Sequence, residues 1–155
     1  MVILLLSFEL ATSQRNLETV LQKYNDENIP YVEVSDAKSM TEVVFLDART
    51  AEEFRVSHIP KAIHVGYKTF KLVSLDTIAD KNQTLVVYCS IGVRSEDIAQ
   101  QLKVKGYVKV FNLYGGIFEW KNQGNSVVNE KGETEEVHVH DANWGRWLEN
   151  GNKVY

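Results

Sequence analysis

Short apolar runs separated by polar turns recur through the middle of the chain. Val43 to Leu46 (VVFL) and Leu85 to Tyr88 (LVVY) are continuous apolar stretches, the pattern of strands buried on both faces. Val108 to Phe111 reads as the next strand, and Ile63 to Val65 is a weaker candidate. Between these runs the apolar spacing changes to that of helices. Leu17 to Tyr24 has apolar residues at 17, 20, 21 and 24, with Asn16 as a cap and Ile29-Pro30 beyond its end. Thr50, with Glu53 three residues on, makes a capping box for a short helix, TAEEFR. Ser95 to Lys105 places Ile98, Ala99 and Leu102 on one face, and Gly106 closes it. The glycine pair of GGIFEW opens a further short helical turn. Strands alternating with helices predict an α/β fold, a parallel sheet with helices on both faces. Ligands then bind outside the carboxyl ends of the strands.

From Gln123 onward the pattern shifts. SVVNEKGETEEVHVH predicts two short strands around an Asn129–Gly132 turn, followed by DANWGRWLENGNKVY. This tail is too short for a second domain and too rich in Trp, Val and Tyr for disorder. The expected organisation is an N-terminal segment over residues 1–16, one domain over 17–124 and an extension over 125–155 packed on it. Trp144 and Trp147 are expected to pack that tail, over the sheet edge or the rim of the active site. His138, His140 and Asp141 read as exposed polar residues of a strand and its end, since two histidines one residue apart are weak evidence for a metal.

Composition narrows the picture. The chain has 155 residues, of which 44% are apolar and 25% charged, with a net charge of −4. That describes one ordinary globular domain without the basic footprint of a nucleic-acid binder. The apolar run Val2 to Phe8 is far shorter than the roughly 18–20 residues of a membrane span. No Lys or Arg precedes it and Glu9 interrupts it, so a packed or frayed terminus is expected, not a signal peptide. The single cysteine allows no internal disulfide. A cytoplasmic location is expected, with export as the alternative if residues 1–14 are a signal remnant.

That cysteine, Cys89, stands where the strand LVVY stops, in the stretch VVYCSIGVRSEDIAQQL. Between strand and helix the loop Ser90, Ile91, Gly92, Val93, Arg94, Ser95 must curl, and Gly92 permits a positive φ at no steric cost. Successive N–H groups then point inward as a nest for anions, reinforced by the helix N-terminus. Arg94 adds a permanent charge, and together these lower the pKa of a thiol at the centre. Glu96 and Asp97 suit the first turn of the helix and are expected to face solvent. Without Gly92 and Arg94, Cys89 would read as a buried core residue. With them, it reads as an activated nucleophile for covalent catalysis.

Two motifs resemble the rhodanese-like sulfurtransferase family, over about residues 29–124. LDARTAEEFRVSHIPKAIHV, residues 46–65, is similar to the family's first signature, with Asp47, Arg49, Glu53, Phe54, His58, Ile59, Pro60 and Ala62 matching. VVYCSIGVRSEDIAQQL with GYVKVFNLYGGIFEW resembles its active loop, helix and G-G-x-x-x-W ending. Ser57 and Lys61 stand where the family usually has glycine, and the loop carries Arg94 as its one charge, unlike many thiosulfate-using members. The resemblance implies a five-stranded parallel sheet flanked by helices. It implies a Cys89 persulfide held by the N–H groups of Ser90 to Ser95, with no metal or organic cofactor. The partners would be a small donor (thiosulfate, mercaptopyruvate or polysulfide) and a thiol or cyanide acceptor, a protein acceptor included. Asp47, Arg49 and His58 are expected to support the site structurally. Cysteine phosphatases place five residues between Cys and Arg in a similar cradle; here four intervene, a ring better sized for one sulfur than for a tetrahedral oxyanion. A non-catalytic interaction module is the remaining alternative.

Overall fold

The computed structural model describes residues 16–26, 28–70 and 80–155. The apolar run at Val2 to Phe8 lies outside them. The chain forms helix α1 over residues 16–24 and then β1 (Tyr31–Val32), α2 (Val34–Ser39), β2 (Val43–Asp47), α3 (Ala51–Val56) and β3 (Ile63–His64). After the second break come β4 (Thr84–Tyr88), α4 (Arg94–Val104), β5 (Val110–Leu113) and α5 (Gly116–Asn122). The tail adds β6 (Val127–Asn129), β7 (Gly132–Thr134), β8 (Glu136–His138), α6 (Ala142–Gly145) and β9 (Asn152–Val154). Among the described residues no helix is long and apolar enough to cross a membrane.

The first five strands make one parallel sheet in the order β1-β5-β4-β2-β3. Both faces are covered, which explains why the central strands read as continuous apolar runs. Along β4, Val86 and Tyr88 enter one core with α1, α2 and α5, while Leu85 and Val87 enter the other beneath α4. The tail belongs to the first of these cores: Val127, Val137, Val139, Trp147 and Leu148 are all buried in it. Each such side chain contributes roughly 1.5–3 kcal/mol of burial. The hairpin β6–β7 turns at Asn129–Gly132 as expected, and β8 pairs with β9 in parallel.

Three local details differ from expectation. The third long strand is Val110–Leu113, two residues later than Val108 to Phe111. Val108 is 65% exposed and its N–H bonds Lys81 O, so it belongs to the connection. The edge strand β1 and helix α2 were not foreseen. The departure at Lys61 has a backbone cost: its φ is +64°, the left-handed region that favours glycine. Ser57, by contrast, is extended at φ −169° and fits any residue. Lys61→Gly is expected to stabilise the fold by about 0.5–1 kcal/mol, read as a raised urea midpoint, the relief of strain exceeding glycine's entropic cost.

Candidate active site

The loop after β4 is shaped by three backbone facts. Gly92 takes φ +115°, the turn the sequence demanded of it. α5 closes from the other side: Ile117 N–H donates to Cys89 O at 2.9 Å and Phe118 N–H to Ser90 O at 3.2 Å. That approach requires a glycine at 116, since a Cβ there would lie 2.4 Å from Cys89 O and 2.6 Å from Ser90 O. Beneath the loop, the Asn112 amide at the end of β5 donates to Gly92 O (2.8 Å) and to Glu96 Oε2 (2.9 Å). Its Oδ1 accepts the Ser95 hydroxyl at 2.7 Å. Asn25, following α1, also donates to Gly92 O, at 2.9 Å. Two amides from distant parts of the chain thus converge on the one carbonyl of Gly92 and anchor the loop there.

Cys89 Sγ accepts from the Gly92 N–H at 3.2 Å and lies 3.5 Å from Ser95 Oγ. Burial pushes the Cys89 thiol up, but the Arg94 charge, the Ser95 hydroxyl and N–H, and the Gly92 N–H outweigh it, leaving the pKa below its ordinary value. Arg94 is held by a two-pronged ion pair with Glu53, Nη1 to Oε2 and Nη2 to Oε1, both 2.8 Å, and by the Ser90 hydroxyl at 3.0 Å. Glu53 serves two elements at once. Its Oε2 also accepts the Thr50 N–H, completing the expected capping box at the start of α3. Burial raises the Glu53 carboxyl, yet its bonds and charge pairing with Arg94 hold it at about 2.

A pH dependence follows with a definite sign. The folded-state value lies below the ordinary 4.5, so this pairing stabilises fully above about pH 4.5 and is lost as pH falls toward about 2. On the order of 3 kcal/mol is at stake. Urea midpoints measured across that window should fall more steeply for the wild type than for Glu53→Gln.

Asp47 and Arg49 form a fully buried ion pair at 2.7 Å, and Arg49 Nη2 also donates to Ser57 O at 2.6 Å. Arg49 thereby ties the end of β2 to the end of α3. His58 stacks on Phe54, with ring centroids 3.8 Å apart, and donates from Nδ1 to Phe54 O. Its backbone exchanges two hydrogen bonds with Val128 of β6, both 2.9 Å. His58 is thus engaged with the tail and does not line the cavity at Cys89.

Glu96 corrects an expectation. It is 1% exposed, not solvent-facing, tucked behind the loop against Asn112, and burial pushes its carboxyl up. Only Asp97 faces out, where it accepts the Tyr67 hydroxyl at 2.5 Å.

A cavity of ≈ 570 Å³ opens at Cys89. Of the expected loop residues, Cys89, Ser90, Ile91, Val93 and Arg94 line it, together with Arg49. Gly92 and Ser95 sit behind, on the sulfur and on Asn112. Tyr67, His140 and Trp144 line it as well. Asn112, Tyr67 and His140 were not anticipated at the site. Asn112 had one signal, a polar residue set inside the apolar run VFNL; the other two had none in local sequence.

Residues 31–123 match the family model of the rhodanese-like domain. The thiosulfate sulfurtransferase GlpE of Coxiella burnetii is 31% identical over 93 residues, covering 60% of this chain and 85% of that protein. The tRNA uridine(34) hydroxylase of Erwinia tasmaniensis is 30% identical over 97 residues, which span 28% of that longer protein. Among solved structures, a rhodanese-related protein from Thermoplasma volcanium has the same fold, with a TM-score of 0.57 at 24% identity over 65% of this chain and 99% of its own. A thiosulfate sulfurtransferase from Pseudomonas aeruginosa shares it too, with a TM-score of 0.61 at 23% identity over 76% of this chain and 23% of the other. With its parallel sheet, its cysteine loop and these matches, the chain belongs to the rhodanese-like family.

Proposed function

We propose that this protein is a sulfurtransferase that carries a sulfane sulfur on Cys89 as a persulfide. One observation supports this above the others: Cys89 Sγ faces a cavity with the Gly92 N–H and Ser95 hydroxyl on it and the Arg94 charge beside it. Such a site favours the thiolate, the form that attacks sulfur. The GlpE relative is named a thiosulfate sulfurtransferase, which makes thiosulfate the first donor to test.

With thiosulfate, the Cys89 thiolate attacks the outer sulfur. The bond to the central sulfur breaks, and sulfite leaves with the electron pair. The total charge is the same before and after, and the product is an anionic persulfide one atom further into the cavity. Loop N–H groups from Ser90 to Ser95 and the start of α4 then stabilise that charge without reorganising. Arg94 offsets it electrostatically, and Glu53 fixes where Arg94 stands. In the second step an acceptor such as cyanide attacks the outer sulfur. The sulfur–sulfur bond breaks, thiocyanate departs, and the electron pair stays on Cys89 Sγ.

Asp47, Arg49 and His58 act in this scheme as supports of the β2–α3 corner that presents Glu53. No step needs a general base, because the attacking species is the thiolate, which the Arg94 charge and the loop donors favour. The test is thiocyanate formation from cyanide with thiosulfate, mercaptopyruvate or polysulfide as donor. Turnover by the wild type, abolished in Cys89→Ala, is the expected result. No turnover with any donor would overturn the proposal and favour the interaction-module reading.

A further inference from the structure

The cavity at Cys89 is lined partly by chain beyond the rhodanese-like stretch, which ends at residue 123. His140 and Trp144, from the tail, line the same cavity as Cys89, Tyr67 and Lys68. Their placement is costly and braced. His140 holds φ +66°, a left-handed conformation that costs a non-glycine residue of order 1 kcal/mol or more. Its N–H bonds His138 Nδ1 at 3.0 Å. Asp141 caps the next turn through Asn143 N–H and Trp144 N–H, at 2.7 and 3.1 Å. Gly145 lets this turn lie against Val139, since a Cβ there would come within 3.2 Å of that side chain. Strain held by so many bonds points to a position that is used.

The cavity's size argues the same way. At ≈ 570 Å³ it falls within the roughly 300–1,000 Å³ of sites that enclose organic ligands, well beyond what cyanide needs. Its lining combines the aromatic side chains of Trp144 and Tyr67 with two basic residues, Lys68 and His140. We propose that this corner is an acceptor subsite for a low-molecular-weight organic thiol carrying a carboxylate. It rests on the reading of Cys89 as the sulfur carrier. The thiolate attacks the outer persulfide sulfur and leaves as an organic persulfide anion, while the electron pair of the broken bond returns to Cys89 Sγ. The apolar body packs on Trp144 and Tyr67, and the carboxylate meets Lys68.

Deleting the tail would uncover Val137, Val139, Trp147 and Leu148, so point substitutions are the sound test. With thiosulfate as donor, kcat/KM is measured for glutathione, cysteamine and cyanide in the wild type, Trp144→Ala and Lys68→Ala. Trp144→Ala should lower the value for glutathione about tenfold, mainly through KM, and leave cyanide within about twofold. Lys68→Ala should weaken glutathione but not cysteamine, which has no carboxylate. Binding of unreactive S-methylglutathione to Cys89→Ala, followed calorimetrically and lost on adding Trp144→Ala, gives a readout independent of turnover. Unchanged glutathione kinetics in Trp144→Ala, or equal loss for cyanide and glutathione, would overturn the subsite. Absence of S-methylglutathione binding would overturn it as well, whereas absence of cyanide turnover in the wild type would strike the sulfur-carrier reading instead.

Discussion

Gly116→Ala should cost the protein about 3 kcal/mol or more and abolish sulfur transfer, a large effect for one methyl group. The methyl would sit 2.4 Å from Cys89 O and 2.6 Å from Ser90 O, both backbone atoms that no rotamer change can move aside. Gly116 also takes φ +56°, where an alanine is strained. Relief requires α5 to retreat from the loop, which breaks the Ile117 and Phe118 bonds to the same carbonyls. Those two bonds hold Cys89 itself and the residue after it, so stability and activity fall together. Urea denaturation and a thiocyanate assay would measure both. A variant with the wild-type midpoint and rate would show that α5 does not set the loop.

Arg94→Ala should raise the Cys89 pKa and lower donor kcat/KM by at least about tenfold at neutral pH, because less of the thiol is then ionised. With the guanidinium gone, the desolvation of a buried thiol is opposed by N–H and hydroxyl groups alone. The pH profile of Cys89 alkylation by iodoacetamide should move to higher pH. Arg94→Lys keeps the charge but cannot make the two-pronged bond to Glu53, and should recover part of the shift. An alkylation profile unchanged in Arg94→Ala would remove Arg94 from the electrostatics of the thiol. Gly116→Ala distorts the cradle through the backbone, whereas Arg94→Ala removes its charge and leaves buried Glu53 without its ion-pair partner, so it lowers the urea midpoint as well.

The central strands were legible because burial on both faces leaves a continuous apolar run, and β2 and β4 have one each. The capping box at Thr50 and Glu53 was legible because its chemistry is local. So was the loop, whose glycine and arginine lie within five residues of the cysteine. What escaped depends on distant partners. Two-residue β1 has no periodicity to display and exists through pairing with β5. Glu96 reads as an ordinary first-turn acid until Asn112 is brought beneath it. Glu53 was recognised as a cap, but its grip on Arg94 spans forty-one positions of sequence. β5 runs two residues beyond the expected Phe111, through Asn112, a polar residue that is the buried hub of the site.

Intact-protein mass spectrometry after incubation with thiosulfate, mercaptopyruvate or polysulfide, without acceptor, tests the central claim most directly. The wild type should gain the mass of one sulfur atom and lose it again on adding cyanide, while Cys89→Ala gains nothing. No added sulfur on the wild type with any donor, or the same gain on Cys89→Ala, would contradict a persulfide carried on Cys89.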